Sequence, residues 1–234
     1  MIDIHCHMLY GVDDGAKSLE ESVLMLKDAK KQGVDEIILT PHYRHGMFPY
    51  RVEKILDHYK VLCKEAKKVG VRLHLGTEYH VNSRIVEYLD KKRCMPLGHT
   101  KYVLTEYDYE TDYNYIYNMS RELMANGYVP VVAHVERYKC MTQDIGHAAE
   151  LREMGAMIQI NADSVLGLDG RAAKKFCKEM LNASLVDIIA SDSHGIKKRS
   201  SHMAKCYKYI TKKYDEDYAE ELMNRNPARI VADK

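Results

Sequence analysis

The sequence predicts an α/β fold in which parallel strands alternate with helices and form a barrel. Two observations carry this prediction. Short apolar, β-branched runs alternate with amphipathic helical patterns along the whole chain, which is typical of repeated βα units around a parallel sheet. At 234 residues the chain also has a suitable length for one α/β barrel, so we expect a single domain over residues 1–234.

Seven strand candidates share one pattern, each being an apolar run too short to form an independent helix. They are Met1–Ile4, Glu36–Thr40, Val71–Gly76, Tyr102–Thr105, Val129–Ala133, Met157–Asn161 and Asp187–Ala190. Amphipathic helical patterns lie between them, over Ser18–Gln32, Val52–Val69, Asn114–Asn126, Asp144–Met154, Ala172–Leu181 and His202–Tyr214. The first helix is predicted to begin with a capping box formed by Ser18 and Glu21 and to end at Gly33.

The composition excludes several classes of protein. Lys and Arg number 35 against 34 Asp and Glu, so the chain lacks the broad basic field of a duplex-DNA binder, and we expect no nucleic-acid partner. No stretch approaches the ~18 uninterrupted apolar residues of a membrane span. The run Ile2–His7 follows Met1 without the basic region, apolar core and cleavage site of a signal peptide, so no signal peptide is expected. We therefore expect a cytoplasmic protein without direct membrane insertion.

The six cysteines lie far apart and form no C-x-x-C pair, which disfavours a zinc knuckle or a redox motif. They are Cys6, Cys63, Cys94, Cys140, Cys177 and Cys206. Reduced and mostly buried thiols are the expected state.

Side chains that can bind metals follow the predicted strands at their carboxyl ends, where α/β barrels keep their active sites. The first strand delivers His5 and His7, which point to the same side of an extended chain while Cys6 points to the other. Asp192 and His194 have the same two-residue spacing after the seventh strand. The second to fifth strands end at His42, Glu78, Glu106 and His134.

Eight such residues from six strand ends converge only if the strands form a closed or nearly closed ring, so the predicted fold and the predicted site support each other. Imidazoles and carboxylates without a thiolate suit Mn²⁺, Zn²⁺ or Fe, and eight ligands are too many for one ion. Two or three ions are therefore predicted. Spacing alone does not separate Glu106 from Asp108 and Glu110, which follow it closely. The other histidines are interpreted as structural or surface residues: His45, His58, His74, His80, His99, His147 and His202.

Two arginines are candidates for binding phosphate, because a guanidinium group matches phosphate oxygens with two parallel hydrogen bonds. Arg137 lies three residues after the histidine of the fifth strand, and Arg199 lies five residues after the last predicted ligand. Either one alone could be a surface ion-pair partner. Together with the metals they predict hydrolysis of a phosphomonoester by a metal-activated hydroxide. Asp13 and Asp14 are candidates for the general acid, although Asp-Asp-Gly is also ordinary turn chemistry.

These residues resemble the PHP (polymerase and histidinol phosphatase) superfamily, and within it the bacterial capsule-locus protein-tyrosine phosphatases of the CpsB/CapC/YwqE type. The resemblance runs nearly from end to end. Its motifs are D-I-H-C-H, V-D-D-G-A-K-S, T-P-H-Y-R-H-G-M-F, G-T-E-Y, A-H-V-E-R-Y, A-S-D-S-H and N-P-A-R-I-V. The short motifs indicate only the superfamily, whereas V-D-D-G-A-K-S, H-G-M-F and H-V-E-R-Y are far more specific.

The resemblance implies a distorted, TIM-barrel-like (β/α)7 barrel with seven strands. It also implies three divalent ions, usually Mn²⁺ with Zn²⁺ or Fe as alternatives. The implied activity is that of a tyrosine phosphatase acting on a bacterial tyrosine kinase that regulates capsular or exopolysaccharide synthesis. The metal-ligand role is carried onto His5, His7, His42, Glu78, Glu106, His134, Asp192 and His194, and the catalytic and substrate-binding role onto Arg137 and Arg199. Cys6 stands where the family has serine, and it is expected to face away from the metals.

Three alternatives stay open at this stage. The metal site alone also fits a PHP phosphatase of a small phosphomonoester such as histidinol phosphate, which the family-specific loops disfavour. A non-catalytic kinase-binding subunit is disfavoured by the complete ligand and arginine sets, and a metal-dependent exonuclease by the charge balance. The sequence does not decide the resident metal, the metal bound by each ligand, the general acid, the partner kinase or the oligomeric state, and an oligomer remains open.

Overall fold

The computed structural model describes residues 1–232, so the last two residues of the predicted domain lie outside the described residues. It is an α/β fold built on a curled parallel sheet. The strands are β1 (Ile2–Cys6), β2 (Glu36–Leu39), β3 (His42–Tyr43), β4 (Arg72–Leu75), β5 (Glu78–His80), β6 (Tyr102–Glu106), β7 (Val129–Val132), β8 (Met157–Asn161) and β9 (Ile188–Ala190). They pair in the orders β1-β2-β4 and β3-β5-β6-β7-β8-β9.

The described residues form nine strand segments rather than the seven predicted, because a short additional strand follows each of two predicted strands after a break. One break follows β2 at Pro41, which has no backbone N–H to donate to a strand ladder. The other follows β4 at Gly76, where a Cβ would lie 2.9 Å from Cδ2 of Leu97. After the breaks the chain continues as β3 and β5, which pair with His42 opposite Glu78. The interruptions therefore place two predicted metal ligands side by side.

The first and last strands meet at their carboxyl ends. The backbone N–H of His7 donates to the carbonyl of Ser193 over 2.8 Å, and that of Asp192 donates to the carbonyl of His5 over 2.8 Å. Because these bonds join the two ends of the strand order, side chains that follow β1 and β9 face the same space.

Helices cover the outside of the sheet. The α-helices are α1 (Leu19–Lys31), α2 (Val52–Val69), α3 (Ile85–Asp90), α4 (Tyr113–Ala125), α5 (Lys139–Gln143), α6 (Gly146–Met154), α7 (Ala162–Leu166), α8 (Arg171–Asn182), α9 (Met203–Lys213), α10 (Glu216–Glu220) and α11 (Asn226–Ala232). Two 3₁₀ helices cover Leu97–His99 and Val135–Arg137, and a π-helix covers Glu221–Arg225. Six of these helices match the predicted ones to within two residues at each end, whereas the short helices were not predicted.

The start of α1 corrects one detail of the predicted capping box. The Ser18 hydroxyl accepts a hydrogen bond from the Glu21 backbone N–H over 3.3 Å, as expected of an N-cap residue. The Glu21 carboxylate, however, accepts from the backbone N–H of Lys17 over 2.8 Å, one residue before the expected partner. The helix then ends before Gly33, whose φ of 81° lies in the left-handed region.

Two apolar clusters hold the fold together. The larger one packs the helices against the sheet, and α1 contributes Met25, Leu26 and Ala29 to it. The smaller one collects side chains from several strands, from the 3₁₀ helix Leu97–His99 and from α11, namely Ile4, Ile38, Leu97, Leu104, Val131, Ala133, Ile188, Ala190 and Ile230. Among the described residues no helix is both long and apolar enough to cross a membrane. All six cysteines are free.

Candidate metal centre

The eight residues predicted as metal ligands lie together at the carboxyl ends of the strands, and all of them are buried. Their imidazole nitrogens and carboxylate oxygens form four overlapping groups, within each of which the ligand atoms lie within 4.8 Å of one another. The groups are His7, Asp14, His42 and His194; His5, Glu78 and His134; His5, His7 and Asp192; and His42, Glu78 and Glu106. Asp14 is thus a ninth member, which the sequence suggested only as a general acid.

Glu78 stands at the centre of the cluster. Its Oε1 lies 3.1 Å from Nε2 of His5 and 2.9 Å from Nε2 of His134. Its Oε2 lies 3.1 Å from Nε2 of His7 and 2.9 Å from Nδ1 of His42. Burial alone would raise the pKa of Glu78, but the imidazoles of His5 and His42 hold that pKa well below its usual range. The cluster therefore contains a carboxylate that is ionised at neutral pH and is surrounded by four imidazoles.

Asp192 is a second buried carboxylate that stays ionised. Its Oδ1 lies 3.5 Å from Nε2 of both His5 and His7. Its Oδ2 lies 2.8 Å from Nη2 of Arg137 and 3.2 Å from Nη2 of Arg199. Burial would raise the pKa of Asp192, but His5 and Arg137 hold it well below its usual range. Asp192 thus joins the imidazole cluster to both arginines that the sequence singled out.

The two arginines reach the cluster from different loops. Arg137 ends the 3₁₀ helix that follows β7, and Arg199 lies between β9 and α9. Their side chains are 39% and 44% exposed, so each guanidinium touches Asp192 and also faces solvent. Nη1 of Arg199 additionally lies 3.5 Å from Oδ2 of Asp14. An anion that enters the open side of the cluster would meet two cationic groups with free N–H donors.

Glu106 is the carboxylate that lies farthest from the imidazoles of the cluster. Its oxygens lie 3.8 Å from Nε2 of His134 and 3.8 Å from Nδ1 of His42. Burial and the nearby charge of Glu78 raise the pKa of Glu106 to about 7. A bound cation would favour the ionised form.

The acidic residues that follow Glu106 lie outside the four ligand groups. Asp108 is 63% exposed and pairs with Arg44 over 2.8 Å. Glu110 is 67% exposed and pairs with Lys139 over 2.8 Å. Of the three carboxylates that spacing could not separate, the structure brings only Glu106 into the cluster.

Hydrogen bonds outside the cluster fix the orientation of three imidazoles. His5 donates from Nδ1 to Oε1 of Gln159 over 3.1 Å, and His7 donates from Nδ1 to Oδ2 of Asp13 over 2.9 Å. His194 donates from Nδ1 to the backbone carbonyl two residues before it, over 2.9 Å. With Nδ1 carrying the hydrogen, the lone pair of each Nε2 faces the cluster, which is the arrangement that metal-binding histidines use.

Buried polar atoms without a hydrogen-bond partner indicate whether the cluster can hold a metal. Eleven buried side-chain nitrogen and oxygen atoms of the described residues have no hydrogen-bond partner, and six of the eleven belong to this cluster. They are Nε2 of His5, His7 and His194, Nδ1 of His42, and Oε2 of Glu78 and Glu106. Buried polar atoms rarely stay unbonded. Because these atoms are the nitrogen and oxygen donors that divalent transition metals prefer, the cluster fits a centre with more than one ion.

The loop of residues 13–15 approaches the cluster closely. Oδ2 of Asp13 accepts from Nδ1 of His7 and also from the backbone N–H of His42 over 3.1 Å. Gly15 makes this approach possible, because a Cβ at that position would overlap the carbonyl oxygen of His7. The Asp-Asp-Gly sequence is thus a turn that brings two carboxylates to the histidines.

Asp14 is better suited to binding a cation than to donating a proton. Its Oδ1 lies 3.5 Å from Nε2 of both His42 and His194, and its side chain is 45% exposed. The close contact with His194 lowers the pKa of Asp14 below its usual range. The carboxylate therefore stays ionised at neutral pH.

Asp192 and His194 both face the cluster, but not for the reason that the sequence suggested. The sequence argument assumed an extended chain, but β9 ends at Ala190 and Asp192 has a φ of 49°, in the left-handed region. His134 has a φ of 33° at the equivalent point after β7. Such a conformation costs a non-glycine residue about 1 kcal/mol or more. Asp192 and His134 therefore adopt strained backbone conformations at the points where their side chains enter the cluster.

Sequence reasoning missed the contribution of β8, the one predicted strand that ends without a ligand. Gln159 accepts from His5 and from the backbone N–H of His134 over 3.0 Å, and donates to Oδ1 of Asn161 over 2.8 Å. Asn161 in turn donates to Oδ2 of Asp192 over 2.9 Å. The available signal was the pair of polar residues two apart in an otherwise apolar strand, which must find hydrogen-bond partners when buried.

The remaining histidines and Cys6 lie outside the four ligand groups, as the sequence predicted. None of the seven histidines interpreted as structural belongs to the four ligand groups. Cys6 is buried and donates to the carbonyl of Ile38 over 3.6 Å. Burial raises the pKa of the Cys6 thiol well above its ordinary value, so the thiol is neutral and turned towards β2.

Comparison of the sequence with known proteins gives one family. The family described as "Capsular polysaccharide synthesis, CpsB/CapC" matches residues 1–232. The chain is 36% identical over 241 residues to the tyrosine-protein phosphatase CpsB of Streptococcus pneumoniae, covering 100% of this chain and 99% of the relative. It is 32% identical over 216 residues to the tyrosine-protein phosphatase YwqE of Bacillus subtilis, covering 92% of this chain and 85% of the relative.

Comparison of the structure agrees with that of the sequence. A chain from the crystal structures of "YwqE from Bacillus subtilis and CpsB from Streptococcus pneumoniae, unique metal-dependent tyrosine phosphatases" matches with a TM-score of 0.93 at 29% identity. The match covers 100% of this chain and 95% of that chain. A variant organophosphorus hydrolase from Deinococcus radiodurans matches with a TM-score of 0.65 at 10% identity, over 98% of this chain and 92% of the other, and shares the fold alone.

Proposed function

Because the chain belongs to the CpsB/CapC family of capsular polysaccharide synthesis proteins, we propose that it is a metal-dependent tyrosine phosphatase, a phosphoric monoester hydrolase acting on phosphotyrosine in protein. The observation that carries the proposal is the buried cluster of five imidazoles and their carboxylates, with two arginines at its open side. The metal ligands are His5, His7, His42, Glu78, Glu106, His134, Asp192 and His194, with Asp14 as a further ligand.

The centre holds three divalent ions, with Mn²⁺ as the resident metal and Zn²⁺ or Fe as alternatives. Nδ1 of His5 and Nδ1 of His7 are engaged by Gln159 and Asp13, so each of these histidines offers only Nε2 to an ion. Both histidines occur in two of the four ligand groups, and a neutral imidazole nitrogen binds one ion. The four groups therefore cannot all be filled together, which supports a count of three.

The protein residues bind and orient the substrate for hydrolysis. Divalent ions in such a centre supply hydroxide from water near neutral pH and polarise the phosphoryl oxygens. Arg137 and Arg199 bind those oxygens through parallel N–H donors and keep the phosphoryl group in line for attack. Asp192 holds both guanidinium groups in place before substrate arrives.

The leaving group favours an aryl phosphate over an alkyl phosphate. Asp14 stays ionised, so it does not provide the proton that an alkoxide would need on departure. A tyrosine phenolate has a conjugate acid of pKa ~10 and leaves with less assistance than an alkoxide. Phosphotyrosine therefore suits the cluster better than histidinol phosphate, which is an alkyl ester.

The fold and the biological partner complete the proposal. We count β2 with β3 and β4 with β5 as two interrupted strands, so that seven strand positions form one distorted (β/α)7 barrel in a single domain. We propose that the protein substrate is a bacterial tyrosine kinase that regulates capsular or exopolysaccharide synthesis, and the family description, capsular polysaccharide synthesis, supports that biological context.

A comparison of substrates tests the proposal. The Mn²⁺-loaded protein is given a phosphotyrosyl peptide, histidinol phosphate and single-stranded DNA under the same conditions, and kcat/KM is measured for each. The phosphotyrosyl peptide should be hydrolysed with the highest kcat/KM. Preferential turnover of histidinol phosphate or degradation of DNA would reject the assignment, and the absence of turnover with every substrate would favour a non-catalytic subunit.

A further inference from the structure

A groove leads away from the open side of the metal centre. It encloses a cavity of about 820 Å³ between α1 and the loop that joins β9 to α9. Asp14, His194 and Arg199 form the end of the groove that belongs to the centre. The groove is therefore continuous with the centre, where the phosphotyrosine of a protein substrate would bind.

The groove is strongly basic. Five lysines line it, and they are Lys17, Lys27, Lys31, Lys197 and Lys198. Among the described residues, Lys27, Lys31, Lys197 and Lys198 have no ion-pair or hydrogen-bond partner for their side chains. Two acidic side chains line the groove outside the centre, and both have partners: Glu21 accepts from the backbone of Lys17, and Asp28 accepts from Gln32 over 2.7 Å. These neutral donors leave both carboxylates charged, but the five lysines outnumber them, so the groove presents a net positive charge to an entering ligand.

Two apolar side chains lie exposed among these lysines. Leu24 on α1 is 51% exposed and Ile196 on the opposite loop is 38% exposed. Together with the lysines they form a surface that suits a peptide with acidic side chains and an apolar residue between them, rather than a single small anion.

The spacing of residues on α1 indicates how long a peptide segment the groove can contact. Leu24, Lys27 and Lys31 follow one another on the same side of α1, and seven residues of helix rise about 10 Å. An extended peptide covers that distance with about three residues. A short acidic segment of this length would therefore contact both Lys27 and Lys31.

We propose that this lysine groove binds an acidic segment adjacent to the phosphotyrosine of the protein substrate, and so selects acidic phosphotyrosine sequences. The inference rests on the proposed phosphatase function, because it assigns substrate selection to the surface beside that site. Lys27 and Lys31 are the selecting residues. They lie outside the ligand groups and have no role in the chemical step.

The test compares two peptides and two double variants. One peptide has three acidic residues on each side of phosphotyrosine, and the other has glutamine at those six positions. The groove variant is Lys27→Gln/Lys31→Gln. The control variant is Lys175→Gln/Lys178→Gln, which removes two exposed lysines from α8, outside the groove. Free phosphotyrosine amide serves as a substrate without flanking residues.

The wild type should hydrolyse the acidic peptide with the higher kcat/KM. For the acidic peptide, kcat/KM of the groove variant should be about three- to tenfold lower than that of the wild type. The decrease should come from a higher KM, as expected for the loss of two screened surface ion pairs. The loss should shrink as salt is added. The control variant should keep the preference, and all three proteins should hydrolyse phosphotyrosine amide equally well.

Different results would overturn the groove inference and the proposed phosphatase function. Equal kcat/KM for both peptides in the wild type, or an unchanged preference in the groove variant, would overturn it. So would a groove variant that keeps the peptide preference but loses binding to phosphatidylglycerol vesicles, because the groove would then serve a membrane surface. Failure of the metal-loaded wild type to hydrolyse phosphotyrosine amide would instead reject the phosphatase function itself.

Discussion

The Nδ1 atom of His7 donates a hydrogen bond to Oδ2 of Asp13 over 2.9 Å, and both side chains are completely buried. Burial alone would lower the pKa of His7, but Asp13 raises it well above the ordinary value. The same contact directs Nε2 of His7 towards Glu78 and Asp192. Asp13 is therefore a positioning residue for a proposed metal ligand, although it is not a ligand itself.

Replacement of Asp13 should weaken metal binding. Asp13→Ala leaves His7 free to rotate, and we expect roughly 10- to 100-fold lower metal affinity, as for other outer partners of metal-binding histidines. Asp13→Asn keeps an acceptor oxygen but loses the charge, so its effect should be smaller. Affinity is measured by competition with a chelator of known strength. Asp57→Asn, at an exposed position on α2, is the control, and an Asp13→Ala protein that binds metal as tightly as this control would contradict the positioning role.

Metal binding to chelated protein should release protons at pH 7. The pKa of His7 is raised, and so is that of His5, where Glu78 and Asp192 outweigh the lowering effect of burial. The protonated form of both imidazoles is therefore favoured in the metal-free cluster. His134 is neutral, because burial and Arg137 lower its pKa to about 4.

Filling the centre should accordingly displace protons from these imidazoles and from Glu106, whose pKa is raised to about 7, and metal affinity should rise with pH through the neutral range. Calorimetric titration in buffers with different ionisation enthalpies measures the number of protons released. Binding that releases no protons at pH 7 would contradict the charge states inferred for His5 and His7.

The sequence predicted the set of converging side chains better than it predicted the way the chain brings them together. Strand ends are recognisable from short apolar runs, so the eight residues that follow them could be named, and the structure brings all eight into one cluster. Their role as ligands stays a prediction. The breaks at Pro41 and Gly76 depend on tertiary contacts such as the approach of Leu97, which no local pattern encodes.

The residues around the ligands were predicted less well, also for a physical reason. Gln159 and Asn161 lie in the middle of an apolar strand, and their partners come from residues distant in sequence. Asp14 was considered only as an acid, because its closeness to His42 and His194 depends on how residues 13–15 fold against β1. Asp192 and His134 adopt left-handed backbone conformations that spacing rules do not anticipate.

Arg137 and Arg199 should contribute to catalysis rather than to folding. Replacing either with alanine removes a charge-assisted contact to the phosphoryl group, which we expect to cost roughly 2 to 4 kcal/mol, or ~30- to 1000-fold in kcat/KM. Lysine should rescue poorly, because it keeps the charge but loses the planar pair of donors. The measurements are kcat/KM for Arg137→Ala, Arg137→Lys, Arg199→Ala and Arg199→Lys.

Bound metal and thermal stability of the same four variants separate a phosphate role from a structural one. Both should stay close to wild type, since each arginine side chain is more than a third exposed and Asp192 keeps one arginine partner in every variant. Near-normal kcat/KM in both alanine variants would reject the phosphate role. Loss of metal or a large fall in Tm would indicate that the arginines hold Asp192 and the surrounding structure instead.

The cysteine thiols should not be nucleophiles. None of the six cysteines has an arginine six positions later, as cysteine-dependent tyrosine phosphatases require. Burial raises the pKa of both Cys6 and Cys140, which disfavours the reactive thiolate. Cys6→Ser and Cys140→Ser should keep kcat within about threefold of wild type, because serine can make the same hydrogen bond as Cys6 to Ile38. Lost turnover with full metal content would point to a thiol mechanism.

The central claim is that the imidazole and carboxylate cluster hydrolyses phosphotyrosine only when it holds divalent metal. The most direct measurement follows turnover of a phosphotyrosyl peptide by protein that has been chelated, verified as metal-free by elemental analysis, and then titrated with Mn²⁺. Turnover should be absent from the metal-free protein and should return as Mn²⁺ is added, reaching its maximum near three ions per chain. Full activity in the verified metal-free protein would contradict the claim.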